Sequence, residues 1–266
     1  MKIIAYTDLH HYAGDRESAI FNKTGKLTQY AMPMLLELID KVNGEFKPDA
    51  VVNLGDSIQD ANNQDMDIVS LSQVADKLKG FECPHYMVMG NHDLKMFDNF
   101  DIHKKIFGYD DFNYSIDLCG YHLVFMTNGI VAERGTVGGG VEKTRLVVKE
   151  TVDWLISDLK ANQKPCIIFT HYPFIACEGL APRHVIENVD ELFEIIENDK
   201  NVIAVVSGHT HIAYSVNKNG IDYHVLGSPI ASPLKNDIPD GVYYLLDIEN
   251  NKVTVTEYKF EKRQVN

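Results

Sequence analysis

His85-Tyr86-Met87-Val88-Met89-Gly90-Asn91-His92-Asp93 joins a short apolar run to a glycine and then to an amide, an imidazole and a carboxylate. The run reads as a buried strand, and glycine permits a tight turn at its end. The same arrangement occurs twice upstream. Lys2-Ile3-Ile4-Ala5-Tyr6-Thr7 ends at Asp8, with His10 two residues later. Ala50-Val51-Val52-Asn53-Leu54 ends at Gly55-Asp56. Helical stripes separate these strands. Residues 34 to 42 place Met34, Leu35, Leu38, Ile39 and Val42 on one face, with Pro33 in the first turn. Ile68, Leu71, Val74, Ala75 and Leu78 form a second stripe, closed by Gly80. The order βαβαβ is that of a parallel sheet flanked by helices.

Further strands follow at residues 113 to 117 and 121 to 127, with a hairpin at Cys119-Gly120. Gly138-Gly139-Gly140 marks a surface loop, and Gly135 to Gly140 is a candidate lid or an ordinary connection. A helix is predicted from about Lys143 to Ala161, burying Val148, Val152, Leu155 and Leu159. Then come a strand at 166 to 170, a helix at 189 to 197 and a strand at 201 to 207. Strands at 212 to 216, 221 to 226, 242 to 248 and 252 to 260 end the chain, the last two around an Asn250-Asn251 turn. No linker or repeat divides the sequence, so residues 1–266 read as a single domain of two packed sheets with helices outside.

The chain has 266 residues, 38 acidic against 25 basic, a formal charge of −13 and eleven histidines. This balance opposes a binder of long nucleic acid, which needs surplus Lys and Arg against phosphates. It leaves a small phosphorylated molecule open, since local charge differs from net charge. No apolar run approaches the ~20 residues of a membrane span, and Met1 to His11 lacks the apolar core of a secretory signal. No membrane association and a cytoplasmic location are therefore expected. The four cysteines, at 83, 119, 166 and 177, form no C-x-x-C pair and are expected to be free and mostly buried.

Five polar clusters follow strands: Asp8-Leu9-His10, Gly55-Asp56, Gly90-Asn91-His92-Asp93, His171 and Gly208-His209-Thr210-His211. Ligand sites of open α/β sheets lie beyond the carboxyl ends of their strands, where separate crossovers can gather distant clusters. Imidazole, carboxylate and amide donors together suit Mn, Fe, Co or Zn. Asp8 and His10, two apart, are expected to point the same way from an extended segment, as are His209 and His211. Each cluster alone is weakly specific. All five, in order and each after a strand, rarely coincide by chance.

These residues resemble the calcineurin-like metallophosphoesterase superfamily, whose pattern is D-x-H, G-D, G-N-H-D/E, H and G-H-x-H. The match runs from Asp8 to His211. The resemblance implies an α/β (α+β) fold, a four-layer αββα sandwich of two mixed β-sheets flanked by helices. It implies two divalent metal ions, manganese first, with iron or zinc as alternatives. Asp8, His10 and His211 would bind one, Asn91, His171 and His209 the other, and Asp56 both. A metal-bridging hydroxide would attack phosphorus, since paired cations can clamp the attacking and leaving oxygens. His92 would be the catalytic non-ligand histidine, acting on the leaving-group oxygen. Asp93 would hold its tautomer.

The chain departs from the phosphoprotein phosphatases of this superfamily, which continue G-D with x-x-D-R-G. Here Gln59 stands at the second Asp, and Arg16, Arg134, Arg145, Arg183 and Arg263 adjoin no motif. Gln59 also replaces the Tyr of purple acid phosphatases. The spellings D-L-H, G-D-x-x-Q, G-N-H-D-L and G-H-T-H look closest to cyclic-nucleotide phosphodiesterases and to manganese-dependent ADP-ribose/CDP-alcohol pyrophosphatases. A phosphodiester carries one charge fewer than a monoester and needs fewer clamping arginines. The resemblance thus implies hydrolysis of phosphodiester or phosphoanhydride bonds in small nucleotides. The alternatives are a broad-specificity phosphomonoesterase and a metal-free interaction scaffold, which the complete ligand set disfavours. Oligomeric state has no sequence signal beyond a C-terminal strand edge.

His11 is expected at the rim or in solvent, with substrate contact as the alternative, and His85 in a structural place. His103, His122, His184 and His224 have no motif context. Trp154 reads as a core or boundary residue. Asn62, Asn63 and Asn99 are candidate substrate contacts. Tyr12, Phe97, Tyr172 and Phe174 are expected chiefly to pack, with nucleobase stacking as the alternative.

Overall fold

In chain order the elements are β1 (Lys2–Tyr6), α1 (Ala31–Lys41), β2 (Ala50–Asn53), α2 (Gln64–Leu78), β3 (His85–Met87), α3 (Asn91–Leu94) and α4 (Asp101–Phe107). There follow β4 (Asn113–Leu118), β5 (Tyr121–Met126), α5 (Lys149–Ala161), β6 (Cys166–Thr170), α6 (Val189–Asn198) and β7 (Val202–Ser207). The chain ends with β8 (Tyr214–Lys218), β9 (Ile221–Val225), β10 (Val242–Glu249) and β11 (Lys252–Lys259). This computed structural model describes residues 1–14, 26–97, 99–127, 145–181, 184–231 and 239–261. The Gly135 to Gly140 segment, with Arg16, Arg134, Arg183 and Arg263, lies outside the described residues.

The strands form two mixed sheets, ordered β11-β10-β1-β2-β3 and β4-β5-β6-β7-β9-β8. β1, β2 and β3 run parallel, with Ile4 beside Val51 and Val52 beside Tyr86. β5, β6, β7 and β9 are the parallel set of the second sheet. These strands read as unbroken apolar runs because both faces are covered. Ile3, Ala5, Val52, Phe125, Phe169 and Val206 pack between the sheets. Met34, Leu35, Leu38, Leu71 and Val74 of α1 and α2 cover the outer face of the first sheet. Val152, Leu155, Leu192 and Ile196 of α5 and α6 cover the second, with Trp154 at the margin of that cluster. The expected αββα sandwich is thereby present.

Local chemistry explains where element bounds moved. The predicted α5 starts too early, because Val148 is extended (φ −67°, ψ 156°). Asn188 bonds both the N–H and the carbonyl of Val147 at 3.0 Å, holding that β-branched pair out of the helix. Val147, not Val148, is fully buried. β8 begins two residues later than expected, since Asn219 and Gly220 (φ 54° and 86°) make the turn that pairs Lys218 with Ile221. α3 and α4 are too short to show a helical stripe in sequence. Asn250 and Asn251 (φ 53° and 60°) form the expected hairpin turn. All four cysteines are free, but only Cys166 is fully buried and Cys119 is exposed, so they are not mostly buried. Among the described residues no helix is long and apolar enough to cross a membrane.

Candidate metal centre

The loops after β1 and β2 are bonded backbone to backbone: Asp8 N–H donates to Gly55 O, His10 to Asp56 and His11 to Ser57, each at 2.9 Å. Gly208 N–H donates to His171 O at 2.9 Å and ties β6 to β7 beyond their ends. Together with the His92 N–H bond to Asp56 and the His209 N–H bond to Asp8, these bonds join all five clusters at the carboxyl ends of both sheets. The ligand atoms of Asp8, His10 and His211 lie within 4.8 Å of one another, as do those of Asp56, His171 and His209. A third such group, His10, Asp56 and His92, connects them.

The backbone route differs from expectation. Asp8 and His10 do not sit on an extended segment, for their φ angles are 53° and 48°. Asp56 (51°), His209 (69°) and His211 (61°) are left-handed too. Among the described residues these make five of the eleven non-glycine positions with positive φ, so strain is concentrated at this site. A left-handed non-glycine residue costs roughly 1–3 kcal/mol and persists only where surrounding structure enforces it. Here the enforcement is the loop-to-loop bonding and close glycine approach. A Cβ on Gly90 would lie 2.1 Å from Asp56 Oδ1, and one on Gly208 would lie 2.0 Å from Thr7 Oγ1.

Both carboxylates divide their oxygens. Asp8 Oδ2 accepts from Thr7 Oγ1 at 2.6 Å and from His209 N–H at 2.9 Å. Its Oδ1 is buried with no hydrogen-bond partner, 3.2 Å from His211 Nε2 and 3.6 Å from His10 Nε2. Asp56 Oδ1 accepts from His92 N–H at 2.8 Å. Its Oδ2 faces inward, 3.4 Å from His171 Nε2 and 3.7 Å from His10 Nε2. His171 Nδ1–H donates to Leu54 O at 2.8 Å, which turns Nε2 toward the site. That one nitrogen lies 3.3 Å from Asn91 Oδ1 and 3.3 Å from His209 Nδ1. His10 Nε2 lies 3.0 Å from His211 Nε2. Converging imidazole nitrogens and an orphaned buried carboxylate oxygen leave protons poorly shared. Cations set among them would take up these converging lone pairs, so the donor set fits divalent metal.

The charges agree. Burial alone would raise the Asp8 carboxyl, but His211 and His10 outweigh it and hold it well below the ordinary carboxylate range. Asp56 is held down likewise by His171 and His92 against its burial. Burial would lower His171, yet the Asp56 carboxylate raises it to about 9. Burial, with His171 as a cationic neighbour, pushes His209 far down.

His92 stands at the rim, its Nε2 4.0 Å from Asp56 Oδ2. Its expected partner is wrong. Asp93 accepts from Gly90 N–H at 2.9 Å and Ile58 N–H at 3.1 Å, so it shapes the turn rather than holding the imidazole. Asp60 Oδ1 takes the His92 Nδ1 bond instead. Asp60 lies one residue beyond Gln59 and is buried, with Lys95 donating to its Oδ2 at 2.7 Å. Four residues from Asp56, it was visible in sequence but lay off the expected spacing. Lys26, far from every motif, donates to His92 Nε2 at 2.9 Å.

Other expectations divide. His11 is buried and donates to Gln73 Oε1 at 2.7 Å, so it is not a solvent residue. His103, without motif context, donates from Nε2 to Asp93 O at 2.8 Å and supports the turn. His184 places its ring 5.6 Å from that of His209. Asn63 caps α2 and Asn99 accepts from Asp101 N–H, so both side chains serve local turns. Tyr172 is buried with its ring 4.0 Å from that of His209. Phe97 and Phe174 are core residues, as expected.

Known proteins give independent comparisons. A 3′,5′-cyclic adenosine monophosphate phosphodiesterase, CpdA, of Haemophilus influenzae is 23% identical over 249 residues, spanning 93% of this chain and 81% of its own. A 3′,5′-cyclic-nucleotide phosphodiesterase of Nostoc sp. is 33% identical over 81 residues, 30% of each chain. The match therefore spans less than a third of the Nostoc protein. Both relatives are hydrolases by name. The crystal structure of a dimetal phosphatase from Danio rerio superposes with a TM-score of 0.76 at 16% identity, covering 97% of this chain and 95% of that one. That likeness shows a shared fold. The model of the calcineurin-like phosphoesterase family matches residues 1–213, and the chain belongs to that family.

Proposed function

We propose that this protein is a binuclear-metal hydrolase of phosphodiester or phosphoanhydride bonds in small nucleotides. The carrying observation is Asp56 Oδ2, 3.7 Å from His10 Nε2 on one side and 3.4 Å from His171 Nε2 on the other. In this reading Asp8, His10 and His211 hold one divalent ion, Asn91, His171 and His209 hold the second, and Asp56 spans both. Two bound cations would supply an acidified water as nucleophile and neutralise the phosphoryl oxygens. His92, kept in one orientation by Asp60, presents Nε2 to the leaving-group oxygen and protonates it as the ester bond breaks. Leu54 O and Thr7 keep His171 and Asp8 oriented while substrate comes and goes.

Manganese is our first choice of metal, with iron and zinc as alternatives, since mixed N/O donors serve all three. The cyclic-nucleotide activity in the names of the Haemophilus and Nostoc relatives supports a small nucleotide as substrate. Four free cysteines fit a reducing compartment, and we place the protein in the cytoplasm. The test is a panel of cyclic AMP, ADP-ribose, CDP-choline and dinucleotides assayed with Mn²⁺, beside bis-p-nitrophenyl phosphate and p-nitrophenyl phosphate. Turnover of diesters or anhydrides above the monoester is expected. Preference for the monoester would make the protein a phosphomonoesterase, and no turnover with any metal would favour a scaffold.

A further inference from the structure

We propose that Lys26 is a substrate-binding residue whose ammonium takes a non-bridging phosphoryl oxygen beside His92. The inference rests on the hydrolase reading above. Lys26 Nζ lies 2.9 Å from His92 Nε2 and 3.0 Å from Gln59 Oε1. Neither partner is anionic, and among the described residues Lys26 forms no ion pair. The Asp56, Asp8 and Asp60 carboxylates act on this half-buried ammonium without bonding it, and its hydrogen bonds among the described residues go only to neutral groups, so the ammonium keeps a place for an anionic partner. The His92 Nε2 atom accepts from this ammonium, so an anionic oxygen entering beside it takes the ammonium's hydrogen bond and, once the imidazole is protonated, that of Nε2 as well.

The position is built into the fold. Lys26 bridges to Ala231 in antiparallel fashion, and the adjoining Leu27 N–H donates to Ile230 O at 3.0 Å. Leu27 itself is buried in the core beneath α1. The lysine thus projects from an anchored backbone, which cuts the ordering cost of binding.

Charge argues in the same direction. The Asp56 and Asp8 carboxylates now offset the Lys26 charge, and cations held by the seven-residue set would take up those carboxylates, leaving the ammonium repelled unless a further anion lies between. Arginine is the usual phosphate clamp, but Arg145, the one described arginine, lies apart beside Glu187. Lysine gives a point charge in place of a fork, which matches a diester carrying a single negative charge.

The experiment compares wild type, Lys26→Gln and Lys26→Arg as full chains loaded with Mn²⁺. It measures bound metal, the Kd of inorganic phosphate by calorimetry, and KM and kcat for bis-p-nitrophenyl phosphate. In Lys26→Gln, metal content is expected to match wild type while phosphate Kd and KM rise on the order of tenfold, the effect of losing one charge-assisted hydrogen bond. Lys26→Arg keeps the charge and is expected to recover most of the affinity. Unchanged phosphate binding in a metal-replete Lys26→Gln overturns the assignment, as does a loss of affinity that only follows lost metal. A kcat fall with phosphate Kd unchanged also overturns it, since Lys26 would then act only through His92. Phosphate binding that depends on Lys26 in a wild type that hydrolyses no phosphoester would sink the hydrolase reading and leave the lysine assignment standing.

Discussion

Asp60 accepts from His92 Nδ1 through one carboxylate oxygen and from Lys95 Nζ through the other, the latter at 2.7 Å. The bond fixes the imidazole with Nε2 toward the centre. Asp60→Asn is therefore expected to lower kcat roughly 10–100-fold with bound metal unchanged, the usual effect of losing an orienting partner. Asp93→Asn is expected to lower thermal stability more than Asp60→Asn does, because Asp93 shapes the turn at Gly90 and Ile58. Metal analysis beside steady-state kinetics and melting curves checks both, and equal kcat in wild type and Asp60→Asn would refute the first.

The same pairing has a pH signature. Burial would raise the Asp60 carboxyl, but His92 and Lys95 outweigh it and lower it from 3.8 to about 2. A carboxylate depressed in the folded state stabilises the fold above its unfolded pKa and loses that contribution as pH falls toward the folded one. Asp60 should contribute on the order of 2 kcal/mol above pH ~4, vanishing by about pH 2. Denaturant unfolding of wild type and Asp60→Asn should show a gap that closes through that window. A gap constant with pH would refute the account.

Gly90 leaves no room for a side chain. A Cβ there would lie 2.1 Å from Asp56 Oδ1 and 2.3 Å from Asp56 N. Gly90→Ala should displace Asp56, the residue proposed to span both metals. Loss of bound metal and of activity is expected, with a lower melting temperature. Retention of two Mn²⁺ per chain in this variant would show that Asp56 tolerates the shift.

The proposed ligands and His92 should separate in behaviour. Asn91→Ala and His209→Ala are expected to abolish turnover together with metal occupancy. His92→Ala is expected to keep both metals and lose roughly 10²–10⁴-fold in kcat, the range of general acid–base contributions. Metal loss in His92→Ala would make it a ligand and contradict its assignment.

Much of this protein was written in local pattern. Unbroken apolar runs ending in Asp8, Gly55, Gly90, His171 and Gly208 revealed parallel strands, because strands covered on both faces show no alternation. Position at strand ends marked the five polar clusters that the fold gathers, and the family resemblance picked the seven donors from within them. The start of α5 escaped because Asn188, 41 residues away in sequence, holds Val147 extended. The left-handed backbone at Asp8, His10, Asp56, His209 and His211 escaped as well: Asp and His enter that region more often than most residues, yet still too rarely for local propensity to assign it.

The chain order therefore determined which donors exist and which strand ends carry them. Tertiary structure alone decided how they meet: hydrogen bonds between the β1 and β2 loops hold the strained turns at Asp8, His10 and Asp56. It also assigned His92 to Asp60 in place of the adjacent Asp93, and brought Lys26 to the rim. Those pairings depend on distances across the sheet ends, which spacing along the chain does not encode.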